Sequence, residues 1–212
     1  MPDQNKPNLD AAYNLDSPDA NRRLYRDWAA TYDEDFAQKS GYRFAKLIAD
    51  AFQEAAGMGP VLDVGCGTGL LADHLSPELV VDGVDISPEM LSQAERKGRY
   101  RRLIEADLTK PLSIPDAAYA GLTSAGTFTH GHVGPEALHE LLRVLRADAV
   151  CAIGGNAAFY EAAGFKKVFD ALVEKGEVSQ PTLRSERIYD PSATPPEGHE
   201  DDMGLVIVFN RL

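Results

Sequence analysis

The strongest constraint on this chain is the run Val61-Leu62-Asp63-Val64-Gly65-Cys66-Gly67-Thr68-Gly69, an apolar strand that leads into three alternate glycines. Glycine there lets the backbone turn sharply and lets a ligand approach the main chain closely. Leu70, Leu71, His74 and Leu75 then share a helical face, so the run reads as strand, loop, helix. Amide N–H groups at such a helix start stabilise polar or anionic ligand groups. Asp63, a carboxylate just before the glycines, calls in addition for a cationic group on the ligand.

The same rhythm extends along the chain. Strands are expected near 61–64, 79–84, 102–105, 119–124 and 149–153. Between them lie helices opened by Ser87-Pro88, by Gly134-Pro135 ahead of Leu138, Leu141 and Leu142, and by the face Phe165, Phe169, Leu172 and Val173 that stops at Gly176. Two helical segments precede the first strand. One covers 21–36 with Tyr25, Trp28, Tyr32 and Phe36; the other carries Phe44, Ile48 and Phe52 and ends at Gly57. Two last strands, near 183–189 and 205–210, have no helix between them and form an antiparallel hairpin whose 190–204 connection falls at the carboxyl edge of the sheet. The reading is an α/β fold with a mostly parallel seven-stranded sheet, last strand antiparallel, and helices on both faces. With 212 residues the chain suits one domain, 21–212, with a lid segment 21–57 behind a flexible 1–20.

Charge narrows the partners. The net charge of −12, from 21 basic and 33 acidic residues, repels phosphate backbones and argues against nucleic acid. The basic cluster Arg96, Lys97, Arg99, Arg101 and Arg102 reads as a solvated helix end. Cys66 and Cys151 offer neither a disulfide framework nor metal-ligand spacing, and His74, His139 and His199 are too scattered for a metal site. The polar N-terminus and the lack of a membrane-length apolar run point to the cytoplasm and to no membrane partner.

Three carboxylates recur at equal spacing: Asp63, Asp85 and Asp107 each stand 22 positions after the one before, each behind an apolar run. One βα repeat of that length puts them at the carboxyl ends of adjacent strands, facing one ligand, with the second acid placed to accept ribose hydroxyls. A dinucleotide site needs its third glycine where Leu70 stands; here that glycine is Gly69. An NAD-dependent dehydrogenase is therefore a remote alternative.

In these residues the chain resembles the class I S-adenosylmethionine-dependent methyltransferases of small-molecule type, whose sheet is Rossmann-like. The resemblance covers about Tyr25 to Leu212. Asp63 to Gly69 looks like the family's first motif, which cradles the methionine part of the cofactor. Asp85 matches the acid that holds the ribose, Ile86 lies beside the adenine, and Asp107 with Leu108 matches the next motif. Asp27-Trp28-Ala29-Ala30-Thr31-Tyr32-Asp33 is similar to the lid of quinone C-methyltransferases, and the stretch Gly126 to Pro135 is similar to the Williams–Beuren-region methyltransferase-like group. The family's acid at the start of the fourth strand is replaced by Ala120, and its Pro-Gly-Gly turn before the fifth by Arg146-Ala147-Asp148-Ala149.

The resemblance implies methyl transfer from S-adenosyl-L-methionine, leaving S-adenosyl-L-homocysteine, by in-line displacement onto a small-molecule acceptor, at oxygen or carbon more than nitrogen. It implies cofactor binding by Tyr32, Asp63, Gly65, Cys66, Gly67, Gly69, Asp85, Ile86, Met90, Asp107, Leu108 and Ser124. Tyr25, Trp28, His132, Asn156 and Tyr160 are the acceptor-side candidates, and His130 is the candidate base. Aromatic faces on the lid can stabilise a sulfonium. A protein that binds the cofactor without turnover, as a regulator or assembly partner, is the alternative, motivated by Ala120. A monomer or homodimer is expected.

Overall fold

The computed structural model of the protein describes residues 18–33, 39–129, 133–190 and 192–212. The expectations for residues 1–17, Phe36, His130 and His132 fall outside them. Seven strands form one sheet: β1 (Val61–Val64), β2 (Val81–Asp85), β3 (Arg102–Glu105), β4 (Tyr119–Phe128), β5 (Leu145–Asn156), β6 (Thr182–Arg187) and β7 (Met203–Asn210), in the order β3-β2-β1-β4-β5-β7-β6. The first five are parallel. β7 runs antiparallel to β5 and to β6, so the 190–204 connection leaves at the carboxyl edge, as expected. Strand order reverses between β1 and β4, the place where open sheets of this kind form a crevice.

Neighbouring residues of each strand serve opposite cores. Val61, Val81, Val150 and Val206 pack with Trp28 of α1 (Pro18–Trp28) and with Phe44, Ile48 and Phe52 of α2 (Phe44–Glu54). Leu62, Val84, Ile153 and Phe209 pack on the other face with Leu138 and Leu141 of α4 (Ala137–Val144) and Phe165 and Phe169 of α6 (Phe165–Glu174). Runs that read as unbroken apolar sequence thus alternate sides, because both faces of a parallel sheet are covered. α2 lies very close on the sheet. A Cβ on Gly121 of β4, Gly154 of β5 or Gly204 of β7 would come within 2.5, 2.6 or 2.4 Å of the Phe52 or Phe44 ring. Those glycines seat the helix, and the helix fixes the chain that enters β1.

Several expectations are corrected. The glycine loop leads into a single 3-10 turn, Ala72–His74, and not into an α-helix. Leu75 is already extended and Ser76 precedes Pro77, a position that resists helical geometry. Arg99 braces this turn, its guanidinium donating to the Ala72, Ser76 and Leu79 oxygens at 3.2, 2.6 and 3.1 Å. Most of the basic cluster thus serves as structural clasps, Lys97 pairing with Asp33 and Asp73 and Arg101 and Arg102 with Asp82, while Arg96 stays exposed at the helix end as expected. The first helix starts at Pro18 and stops at Trp28. Residues 146–149, expected as a turn, lie inside β5, with Asp148 in the left-handed region at φ 64°. A short helix, α5 (Ala157–Ala162), follows β5 unannounced by periodicity. The helix opened by Ser87 is α3 (Pro88–Lys97), and the Ser87 hydroxyl accepts the Met90 N–H as expected of an N-cap.

Candidate active site

At the carboxyl edge, between the glycine loop and the N-terminal segment, lies a cleft of about 1010 Å³ including its open mouth. β1, β2, β3 and the loops after them supply Asp63, Gly65, Cys66, Gly67, Asp85, Ile86, Met90, Asp107 and Leu108 to its border. Tyr25, Tyr32, Tyr42, Ala125, Gly126 and Thr127 border it as well.

The three acids are staggered, and the reason is the register. β1 residues pair with β2 residues 20 positions on, Val61 with Val81, and β2 pairs with β3 by the same offset, Asp82 with Arg102. A spacing of 22 therefore advances each acid two residues along its strand, on the same face and roughly 6.6 Å further out. Asp63 sits within β1, Asp85 ends β2, and Asp107 stands beyond β3. The result is a ramp of carboxylates along one wall.

Each acid is held differently. Asp63 is buried; its Oδ2 accepts the Tyr100 hydroxyl at 2.7 Å and its Oδ1 the Thr123 hydroxyl at 3.2 Å. Burial pushes its carboxyl up to about 7, with the Asp85 charge adding and those two hydrogen bonds opposing. Asp85 accepts the Gly67 N–H at 2.8 Å and the Ser87 N–H at 2.9 Å, which ties the glycine loop to β2. Burial raises its carboxyl too, against the pull of those amides. Asp107 is also partly desolvated, but the Thr109 hydroxyl and amide and the Lys110 ammonium outweigh that and hold it below the ordinary carboxylate range.

Gly65 (φ 63°) and Gly67 (φ 52°) turn the loop back on itself. A Cβ on Gly65 would lie 1.9 Å from the Thr127 hydroxyl oxygen, whereas one on Gly67 meets nothing. Thr127 and Ser124 both donate to the Val64 carbonyl, at 3.0 and 2.7 Å, where β1 breaks off. The N-terminal segment is fastened to the loop as well: Asp33 accepts the Thr68 hydroxyl and pairs with Lys97 at 2.8 Å, while Arg22 donates to the Ile86 carbonyl. Tyr25, Trp28 and Tyr32 form one aromatic cluster, with centroids 5.1 to 6.3 Å apart.

Of the expected residues, five do not border the cleft. Ser124 points onto the Val64 carbonyl, and Gly69 packs against the Tyr100 ring. Trp28 is buried behind Tyr25 and Tyr32. Asn156 caps α5 by accepting the Phe159 N–H, and Tyr160 is buried, stacked on Phe165. Ala120 bonds through its N–H to the Pro60 carbonyl at the amino end of β4, away from the cleft, so the missing acid removes nothing from this edge. Tyr42 and Thr127 were not expected. Tyr42 lies outside any helix or strand, bridged only to Tyr189, and carries no periodic signal. Thr127 follows a register shift between Ser124 and Phe128.

The donor set decides what such a cleft can hold. Two carboxylates, the buried Asp63 and the half-buried Asp85, flank the glycine loop, and no cationic side chain is among the described residues that line the cleft. A pyrophosphate there would meet uncompensated negative charge; a ligand with a sulfonium and an ammonium fits. Residues 61–148 match the methyltransferase domain family. The region from β1 into β5 is thus similar to a methyltransferase domain. The chain is 36% identical over 143 residues to methyltransferase-like protein 27 of Homo sapiens, an alignment covering 63% of this chain and 58% of that protein. It is 35% identical over 95 residues to the demethylmenaquinone methyltransferase of Symbiobacterium thermophilum, covering 41% and 38%. The chain thus spans little more than half the length of the human relative and less of the bacterial one. A solved S-adenosylmethionine-dependent methyltransferase of Thermotoga maritima has the same fold, with TM-score 0.60 at 19% identity over 90% of this chain and 99% of that one.

Proposed function

We propose that this protein is an enzyme that methylates a small, uncharged acceptor at oxygen or activated carbon. The observation that carries this reading is the lining of the cleft. Asp63, Asp85 and Asp107 suit a cationic donor, and Tyr25, Tyr32 and Tyr42 border the same cleft with no cationic side chain among its described lining residues. Bound against the acids, S-adenosylmethionine supplies an electrophilic methyl carbon on a sulfonium. Asp63 answers a positive charge, Asp85 accepts hydroxyl donors, and Tyr25 and Tyr32 present ring faces and shield the site from water. Calorimetry with S-adenosylmethionine and S-adenosylhomocysteine tests the reading, and absence of binding at millimolar ligand overturns it.

The acceptor side yields two expectations. Tyr42 borders the cleft, its hydroxyl 3.6 Å from where a Gly126 Cβ would stand. Tyr42→Ala is expected to raise the acceptor KM roughly tenfold, the worth of one hydroxyl contact and some apolar area, with the donor Kd changed less than twofold. His130 stands two positions after the last residue of β4 in the sequence and is the base we assign. His130→Ala is expected to lower kcat by about 10²-fold, at the low end for a general base, without weakening donor binding. An unchanged kcat across pH 6 to 9 removes His130 from the chemistry.

The reading extends to a cytoplasmic protein, monomer or homodimer, that does not take nucleic acid. Its support is the net charge of −12, the use of the basic cluster in internal ion pairs, and two free, buried cysteines. No described helix is long and apolar enough to cross a membrane.

A further inference from the structure

Tyr100 does not border the cleft, yet the molecule makes room for it at a cost in side chains. Its ring lies in a slot between the glycine loop and β2, where a Cβ on Gly69 or on Gly83 would come within 3.0 Å of it. A side chain at Gly83 would also strike Cys66 Sγ at 2.7 Å and Leu103 at 2.9 Å. The hydroxyl at the end of that slot donates to Asp63 Oδ2 at 2.7 Å, while Thr123 on the neighbouring strand takes Oδ1. Both oxygens of a buried acid are thereby fixed from opposite sides, and what remains of their lone pairs borders the cleft.

Resting on the cofactor reading above, we propose that Tyr100, with Thr123 behind it, is a positioning residue that keeps the Asp63 carboxylate aimed into the cleft and charged for the ammonium of the donor's amino-acid end. The other ionisable groups facing Asp63 are Asp85 on β2 and the Cys66 thiol in the loop, and neither is a cation. Hydrogen bonds are thus what offsets the burial of this charge. Asp63 stands near its midpoint at neutral pH, so a lost donor moves its charge within the range where the protein works.

Two ligands separate this role from a merely structural one. S-adenosylhomocysteine carries the amino-acid end; 5′-methylthioadenosine has the same nucleoside and thioether without it. Calorimetry of both from pH 5.5 to 8.5 reads Asp63 in the difference, since Asp85 affects the two alike. Tyr100→Phe keeps the ring in its slot. It is expected to weaken S-adenosylhomocysteine several-fold at pH 7, to move the acid limb of its binding up by about one pH unit, and to leave 5′-methylthioadenosine unchanged. In the ligand-free protein the Asp63 carboxyl carbon shift should titrate correspondingly higher. Thr123→Val is expected to move the same limb in the same direction by less, and serves alone if Tyr100→Phe fails to fold. Equal losses for the two ligands, or an unmoved limb in the variant, overturn the inference and leave the cofactor reading standing. Failure of the wild-type protein to bind S-adenosylhomocysteine overturns both.

Discussion

Replacing Asp85 by alanine is expected to weaken S-adenosylhomocysteine roughly 100- to 1,000-fold, because two hydrogen bonds to a charged acceptor are together worth about 3–4 kcal/mol. Asp85 ends β2, the neighbour of β1, where an acid is placed to accept vicinal hydroxyls. It also holds Gly67 and Ser87 by their amides, so the change loosens the glycine loop as well. Stability of the ligand-free protein should move little. Its folded carboxyl is raised by burial, whereas the unfolded chain ionises it at the ordinary value, so the buried charge lowers stability increasingly as pH rises past that value. Removing it relieves that penalty while the two amide bonds are lost, and the terms oppose. Calorimetry shows the lost affinity, and a melting curve without ligand shows the retained fold. A melting temperature that collapses along with the affinity would instead make Asp85 a structural acid.

The parts of this site that the sequence disclosed are those set by local rhythm. Asp63, Asp85 and Asp107 follow apolar strands at one βα period, and that period needs no knowledge of packing. What local rhythm cannot tell is which way a side chain turns once a strand is covered on both faces. Ser124 and Tyr160 sit close to the carboxyl edge in sequence yet face a backbone carbonyl and a core ring. Trp28 shares a helical face with Tyr25, but its larger ring is the one that α2 and the sheet bury. Arg99 and Tyr100 are a different case. Their partners lie 20 to 37 positions earlier in the chain, and nothing in their own neighbourhood marks them. The 3-10 turn after the glycines did have a visible sign in Pro77, which the apolar pattern of Leu70 to Leu75 overrode. Alignments of one βα unit at a time miss these links because they join loops of neighbouring units.

Asp82→Ala is expected to destabilise the protein by about 3 kcal/mol, near the low end for breaking a buried ion pair, and to lower its melting temperature by roughly 6–12 °C. The carboxylate is fully buried in β2 and takes paired donors from Arg101 at 2.9 and 2.7 Å and from Arg102 at 3.1 and 2.8 Å, with the Tyr119 hydroxyl at 2.8 Å. The low end applies because both guanidiniums are half exposed and water takes them back when the acid goes. The buried Tyr119 hydroxyl is what water does not reach, and it is left with Arg102 as a neighbour and no acceptor. Burial alone would raise this carboxyl; the two arginines and Tyr119 outweigh it and hold it at about 2. A depressed folded value means that the ionised form stabilises the protein in full above the ordinary carboxylate value near 3.8, and that this contribution fades as pH falls toward 2. Asp82→Asn, which keeps the volume, should therefore differ most from wild type at neutral pH and converge with it between pH 4 and 2. Denaturant melts at both ends of that range decide the matter. A constant gap would mean that Asp82 acts through shape alone and that its arginines contribute no charge stabilisation to the strand pair on which Asp85 rests.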